Sequence, residues 1–96
     1  MYARVTRWEG AQGDGLRRSA AEIEGSPEPP PGVPAKGFTM LIDEESGRSL
    51  AIALFETEED LRKGDETLNS MSPPSGEEMG KRTGVEMYEV AFDTRL

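Results

Sequence analysis

The chain has 96 residues, of which 19 are acidic and 11 basic, so its formal net charge is −8, and only 34% of its residues are hydrophobic. This excess of negative charge disfavours binding to nucleic acid or to an anionic membrane surface. Since the sequence contains neither cysteine nor histidine, it also excludes disulfides, thiolate or imidazole metal sites, and histidine-based catalytic triads.

The length predicts a single domain over residues 1–96. A domain of this size with so few apolar residues has a thin core, and association of copies is the common remedy when no disulfide or metal is available. The N-terminus lacks the basic-then-apolar pattern of a secretory leader, and no apolar stretch approaches the ~20 residues of a membrane helix. A cytoplasmic location is therefore expected.

The N-terminal segment Met1–Glu9 predicts a β-strand, because it is rich in β-branched and aromatic residues and its side chains alternate in character. Glycines from Gly10 onwards end this strand. A short amphipathic helix is predicted over Leu16–Glu24, with Asp14 as its N-cap and Gly25 at its end.

A proline-rich segment over residues 26–36 predicts a stiff surface loop, because proline lacks the amide donor that helices and inner strands need. A ligand for an SH3-type domain is the alternative interpretation. Two strands follow, over Gly37–Asp43 and Ser49–Phe55, and the polar turn Glu44–Arg48 between them predicts an antiparallel hairpin.

A second helix is predicted to begin at Thr57, whose spacing to the acidic Asp60 is that of a capping motif. Its apolar stripe consists of Leu61, Leu68 and Met71. Gly64 weakens this helix by about 1 kcal/mol relative to alanine, so its stability has to come from packing.

The helix is predicted to stop at Ser72–Gly76, within a polar loop over residues 72–84, and a last strand is predicted over Val85–Phe92. The resulting β-α-β-β-α-β order predicts an α+β, ferredoxin-like fold, with both helices on one face of a four-stranded antiparallel sheet. The chain has no further element to cover the other face. We therefore expect a second copy to cover it, sheet against sheet, in a dimeric α/β barrel.

Three segments resemble the antibiotic-biosynthesis-monooxygenase-like domains of the dimeric α/β-barrel superfamily. They are the strand Ala3-Arg4-Val5-Thr6 that ends in Glu9-Gly10, the hairpin turn Ile42–Gly47, and the strand-to-helix junction Leu54–Leu61. The resemblance covers nearly the whole chain and implies a lumen between the two sheets in which small, often aromatic, molecules bind.

The resemblance implies different activities in different branches of this superfamily. Some members oxygenate their substrates with molecular oxygen and without metal or flavin, and others bind and degrade haem. The haem-degrading branch uses an asparagine on the first strand, a tryptophan closing the third strand and a histidine near the second helix. By rough alignment this chain has Arg4 and Phe55 at the first two positions and has no histidine, so haem degradation is not expected.

Strand alternation predicts which side chains line the lumen. The apolar set suited to the helix-packed face is Ala3, Val5, Leu50, Ile52 and Leu54, which leaves the opposite set for the lumen. Four of that opposite set are candidate ligand-binding residues: Arg4, Thr6, Trp8 and Phe55. Trp8 and Phe55 could stack on a planar ligand, Arg4 could hold an oxyanion, and the small residues Ala51 and Ala53 would leave room.

The alternative interpretation of the same residues is structural: they pack the dimer core, with Arg4 paired to Glu86 or Glu89 across the sheet. Asn69 is interpreted as a surface polar residue, and the alternation leaves open which face Tyr88 occupies. No metal or cofactor is expected.

The expected function is a small-molecule-binding or stress-associated homodimer whose ligand is a small planar aromatic molecule, with no nucleic-acid or membrane partner. A cofactor-independent monooxygenase acting on a planar aromatic or quinol-type substrate is the alternative, and a purely structural dimer is the third possibility. The substrate itself is not readable from the sequence.

Overall fold

The computed structural model describes residues 1–25, 28–70 and 79–96. Along this part of the chain lie the strands β1 (Tyr2–Glu9), β2 (Ala35–Asp43), β3 (Arg48–Phe55) and β4 (Lys81–Glu89), and the helices α1 (Gly13–Gly25) and α2 (Glu58–Asn69). The predicted β-α-β-β-α-β order is confirmed. Neither helix has the length and apolar character needed to cross a lipid bilayer.

The strands form one sheet in the order β2-β3-β1-β4, and every neighbouring pair is antiparallel. The predicted hairpin of β2 and β3 is confirmed, since Asp43 pairs with Arg48 where the turn begins and ends. An α+β fold with four antiparallel strands and two helices is compatible with the ferredoxin-like arrangement.

Several predicted boundaries are wrong by a few residues. Helix α1 begins at Gly13, so Asp14 lies in its first turn instead of capping it. Strand β2 begins at Ala35, inside the segment predicted as the proline-rich loop. Met71 and the predicted helix stop at Ser72–Gly76 lie outside the described residues.

The predicted bounds of the last strand are also wrong, because β4 runs over Lys81–Glu89 instead of Val85–Phe92. Its limits follow from its partner: Glu9 pairs with Lys81 at one end of β1, and Tyr2 pairs with Glu89 at the other. Beyond that register β1 offers no further strand residues to pair with, so the apolar Val90–Phe92 does not extend the strand. The predicted polar loop correspondingly ends before residue 81.

The N-terminus of α2 forms as its sequence predicts. Thr57 has extended backbone geometry, and its hydroxyl accepts a hydrogen bond from the Asp60 amide at 3.1 Å. The acidic residues of this first turn also complement the positive end of the helix dipole.

The core lies between the sheet and α2. Phe55 is fully buried (0% exposed) in a cluster with Val33, Ala53 and Leu61, and the half-buried Tyr2, Ala35 and Leu68 pack around it. Gly64 of α2 faces the ring of Phe55, and the absence of a side chain at this position lets the helix approach the sheet closely.

The assignment of the two sheet faces from the sequence is wrong. The register places Tyr2 beside Phe55 and Arg4 beside Ala53, and this is the face that the helices cover. The predicted helix-packed set, Ala3, Val5, Leu50, Ile52 and Leu54, lies on the other, uncovered face. Alternation gives the period of a strand but not the identity of its covered face, and both faces of this sheet carry apolar residues.

Replacing Gly64 with alanine tests this close packing. Helix propensity alone predicts stabilisation by about 1 kcal/mol, but a Cβ at position 64 would lie 2.6 Å from Cζ of Phe55. We expect Gly64→Ala to lower the free energy of unfolding by about 1–3 kcal/mol through overpacking, as measured by urea denaturation.

Gly25→Ala at the end of α1 is the matched control, because its Cβ would meet no atom within 4 Å. We expect this change to be neutral or slightly stabilising. Equal effects of the two substitutions would contradict the contact between Gly64 and Phe55.

Candidate functional site

A buried charge lies under α2, next to the core. Arg4 of β1 is only 5% exposed. Its Nε donates to Oδ1 of Asp65 at 2.8 Å, and its Nη2 donates to Oδ1 of Asn69 at 3.0 Å. Asp65 and Asn69 are one turn apart on α2 and therefore share a helix face. Because a guanidinium removed from water is unfavourable without partners, α2 supplies the polar groups that allow Arg4 to be buried.

A second arginine joins this cluster from β4. Nη1 of Arg82 donates to the same Oδ1 of Asn69, also at 3.0 Å. An amide oxygen has two lone pairs, and here each is used by a guanidinium. Two positive groups therefore meet one carboxylate, Asp65, so the described cluster has an excess of one positive charge (2 − 1 = 1).

The side chain of Trp8 is fixed beside this cluster. Its indole Nε1 donates to the hydroxyl of Thr6 at 3.1 Å, and that hydroxyl lies 3.4 Å from the carbonyl oxygen of Ala51, to which it donates. In the sheet, Trp8 has Ser49 as its neighbour on β3 and Arg82 as its neighbour on β4. The pairing with β4 shifts between Arg7 and Trp8, an irregularity that redirects side chains and is common near functional sites.

Ser49, the neighbour of Trp8 on β3, also belongs to the covered face. It is buried, and its Oγ is closed off from solvent and has no hydrogen-bond partner among the described residues. A groove of about 360 Å³ that is open to solvent runs over β1, β3 and β2, and most of the residues that line it lie on the uncovered face: Arg7, Glu9, Leu41, Asp43, Arg48 and Leu50. The groove is therefore part of the uncovered face and is separate from the cluster around Arg4.

The structure brings three of the four predicted site residues together. Arg4, Thr6 and Trp8 follow one another on the covered face of β1, whereas Phe55 is enclosed in the core. Their predicted position, in a lumen on the uncovered face, is wrong because this side of the sheet packs against α2. Arg4 does pair with an acid, but the acid is Asp65 of α2 instead of Glu86 or Glu89. Ligand binding by these residues stays a prediction.

Two members of the cluster were not identified from the sequence. Asn69 was interpreted as a surface residue, and Arg82 lies in the segment predicted as a polar loop. One signal was present: Asp65 lies one turn beyond Leu61 and so falls on the apolar side of α2. A carboxylate in that position indicates a buried cationic partner.

The uncovered face has an apolar centre and a polar border. Val5, Leu50, Ile52 and Leu54 are half-buried there, and Leu41 is 49% exposed. At the β4 side, Nε of Arg7 lies 2.5 Å from Oε1 of Glu86, and the hydroxyl of Tyr88 donates to Oε2 of the same carboxylate. Tyr88, whose face the sequence left open, is thus on the uncovered side.

These contacts set the charge states of the border. The hydrogen bonds from Tyr88 and Arg7 lower the pKa of Glu86 below its ordinary value. The hydrogen bond to Glu86, together with its negative charge, raises the pKa of Tyr88 above its ordinary value. At neutral pH the border therefore presents an ionised carboxylate between a guanidinium and a neutral phenol.

Among residues 1–25, 28–70 and 79–96, no group of three acidic side chains is placed to hold a metal ion. No family model, curated protein or solved structure matches the chain.

The buried pair of Arg4 and Asp65 is expected to matter more for stability than a surface pair. Removing one partner of a buried ion pair leaves the other charge uncompensated. Since Asp65 keeps some contact with solvent, we expect Arg4→Met to lower the free energy of unfolding by about 2–4 kcal/mol, measured by urea denaturation.

Arg17→Met is the control, since the pair of Arg17 and Glu44 is exposed on both sides. Its loss should change the free energy of unfolding by less than about 1 kcal/mol. A comparable effect of the two substitutions would mean that Arg4 is not held as a buried charge.

Proposed function

We propose that the chain is a homodimeric, small-molecule-binding protein of the dimeric α/β-barrel type, similar to the antibiotic-biosynthesis-monooxygenase-like domains. Its ligand is a small planar aromatic molecule that binds beside Trp8. We also propose a cytoplasmic location and no nucleic-acid or membrane partner. The net charge of −8 supports the absence of nucleic-acid and membrane partners.

The surroundings of Trp8 carry the proposal for binding. Its indole is held by Thr6, so one edge of the ring is fixed in position. On the same face, the guanidinium of Arg82 belongs to the neighbour of Trp8 on β4. A fixed aromatic surface beside a directed polar group is suited to a planar ligand that carries a polar substituent.

The uncovered face supports the proposal of a dimer. Both helices contact the opposite face, and among the described residues no element covers Val5, Leu50 and Ile52. One ion pair lies on each side of the apolar centre: Arg48 with Asp43 on one side, and Arg7 with Glu86 on the other. Across the sheet, the first pair runs from negative to positive and the second from positive to negative. Because such a surface carries both charges around an apolar centre, it is suited to pack on a copy of itself about a twofold axis.

One observation favours the monooxygenase alternative. Oxygenation of a phenolic substrate without a cofactor requires stabilisation of the substrate anion, and the guanidinium groups of Arg4 and Arg82 supply positive charge near Trp8. Oxygen consumption on addition of a quinol or anthrone would support this alternative, and binding without oxygen consumption would support the binding protein.

Two residues of β2 provide a matched test of the dimer. Leu41 and Phe38 are similarly exposed, at 49% and 46%, but they lie on opposite faces of the sheet. We expect Leu41→Glu to raise the dimer dissociation constant roughly 100-fold or more, because it would bury a carboxylate in an apolar interface. Phe38→Glu should leave that constant unchanged.

Sedimentation equilibrium over a range of concentrations measures the dissociation constant, and circular dichroism confirms that both variants fold. A wild-type chain that stays monomeric at every concentration, or a dimer that both substitutions weaken equally, would contradict the proposed interface.

The hydrogen bond from Trp8 to Thr6 provides a test of the binding site. We expect planar quinols or anthrones to quench the fluorescence of Trp8, the only tryptophan. Thr6→Val should weaken this binding about 5- to 10-fold, because it removes the acceptor that fixes the indole in position.

Thr39→Val, the same change at an exposed threonine on the other face of the sheet, should leave the affinity unchanged. Absence of quenching by every planar compound would argue for a purely structural dimer. Equal weakening by both valine variants would move the ligand away from Trp8.

A further inference from the structure

The polar cluster under α2 forms a continuous series of hydrogen-bonded groups. Asp65 accepts from Arg4, Arg4 donates to Asn69, and Asn69 also accepts from Arg82. We infer that Arg82 and Asn69 form an anion-binding subsite beside Trp8, which takes a carboxylate or phenolate group of the aromatic ligand. This inference rests on the proposed binding site and adds the chemical class of the ligand.

The partner of Arg82 differs from those of the other arginines in the described strands and helices. Each of the following arginines has a carboxylate partner: Arg4, Arg7, Arg17, Arg18, Arg48 and Arg62. Arg82 in β4 instead contacts the neutral amide of Asn69, and none of the described residues gives it an acidic partner. In a chain with 19 acidic residues, a guanidinium held by a neutral group leaves a local positive charge available to a ligand.

The geometry also fixes the orientation of Arg82. Only its Nη1 is used by Asn69, so the remaining N–H groups of the exposed guanidinium are free of described protein acceptors. The bond from the buried Arg4 holds the amide oxygen of Asn69 in place. Arg82 is therefore partly ordered before a ligand arrives, which reduces the entropy lost on binding.

Trp8 lies beside this subsite on the covered face of the sheet. It lies between Ser49 on β3 and Arg82 on β4, because these two residues are its neighbours in the sheet. Directly opposed residues in antiparallel strands have Cβ atoms about 4.5–5.5 Å apart. An aromatic ring over Trp8 would therefore place a ring carboxylate or hydroxyl within reach of Arg82.

The test compares benzoate with benzamide, which has the same ring and is neutral, at constant ionic strength. Affinities are measured by quenching of Trp8 and by isothermal titration calorimetry, with acetate as an anion that has no ring. We expect benzoate to bind about 10-fold more tightly than benzamide, and Arg82→Gln to remove this difference by weakening benzoate alone. Arg62→Gln, the same change at an exposed arginine of α2, should have no effect.

Asn69→Asp separates charge from structure. It keeps the size of the side chain and an acceptor oxygen for both arginines, but it brings the net charge of the cluster from +1 to 0 (2 − 2 = 0). We expect benzoate affinity to fall about 10-fold or more while the thermal midpoint stays equal or rises, since both arginines gain an ionised partner.

Equal affinity of the wild type and Arg82→Gln for benzoate would overturn the inference, as would retention of benzoate binding in Asn69→Asp. If benzoate and benzamide bind equally well beside Trp8, the anion subsite is wrong while the proposed small-molecule site stands. If neither they nor the larger planar compounds bind, both are wrong.

Discussion

The burial of Arg4 is the interaction on which the arrangement of α2 depends. A guanidinium in the middle of β1 cannot be covered by an apolar helix face, because it would lose its hydration without compensation. Asp65 and Asn69 meet this requirement, and their spacing fixes the rotation of α2 over the sheet. The same rotation directs Gly64 at the ring of Phe55, so the polar contacts and the closest apolar contact of the helix are set together.

Local chemistry was sufficient to predict the order of the elements. The hairpin turn between β2 and β3 and the Thr57 cap are contained in short segments, and both form as expected. The limits of β4 were not predictable in this way, because they are set by its pairing with the distant β1. The choice of face failed for a related reason. Arg4 was assigned to the lumen, on the face opposite the helices, because its partners on α2 lie more than 60 residues away in the sequence.

Only part of the candidate site could be predicted from the sequence, for the same physical reason. Thr6 and Trp8 are two residues apart on one strand, so alternation and residue type were enough to associate them. Arg82 reaches Asn69 only when β4 is placed beside β1, and no local sequence pattern predicts that contact. The charge excess of the cluster is therefore a tertiary property: it exists only once three separate segments of an acidic chain have come together.

The side chains of β1 alternate between the two faces of the sheet. Its even-numbered residues from Arg4 to Trp8 form the polar cluster on the covered face, while Val5 and Arg7 face the uncovered side. Adjacent side chains thus belong to the proposed ligand site and to the proposed dimer interface, yet they point in opposite directions. The two surfaces can consequently be altered independently by single substitutions. A displacement of the β1 backbone, in contrast, would change both at once, which gives ligand binding and dimerisation a direct physical route for coupling.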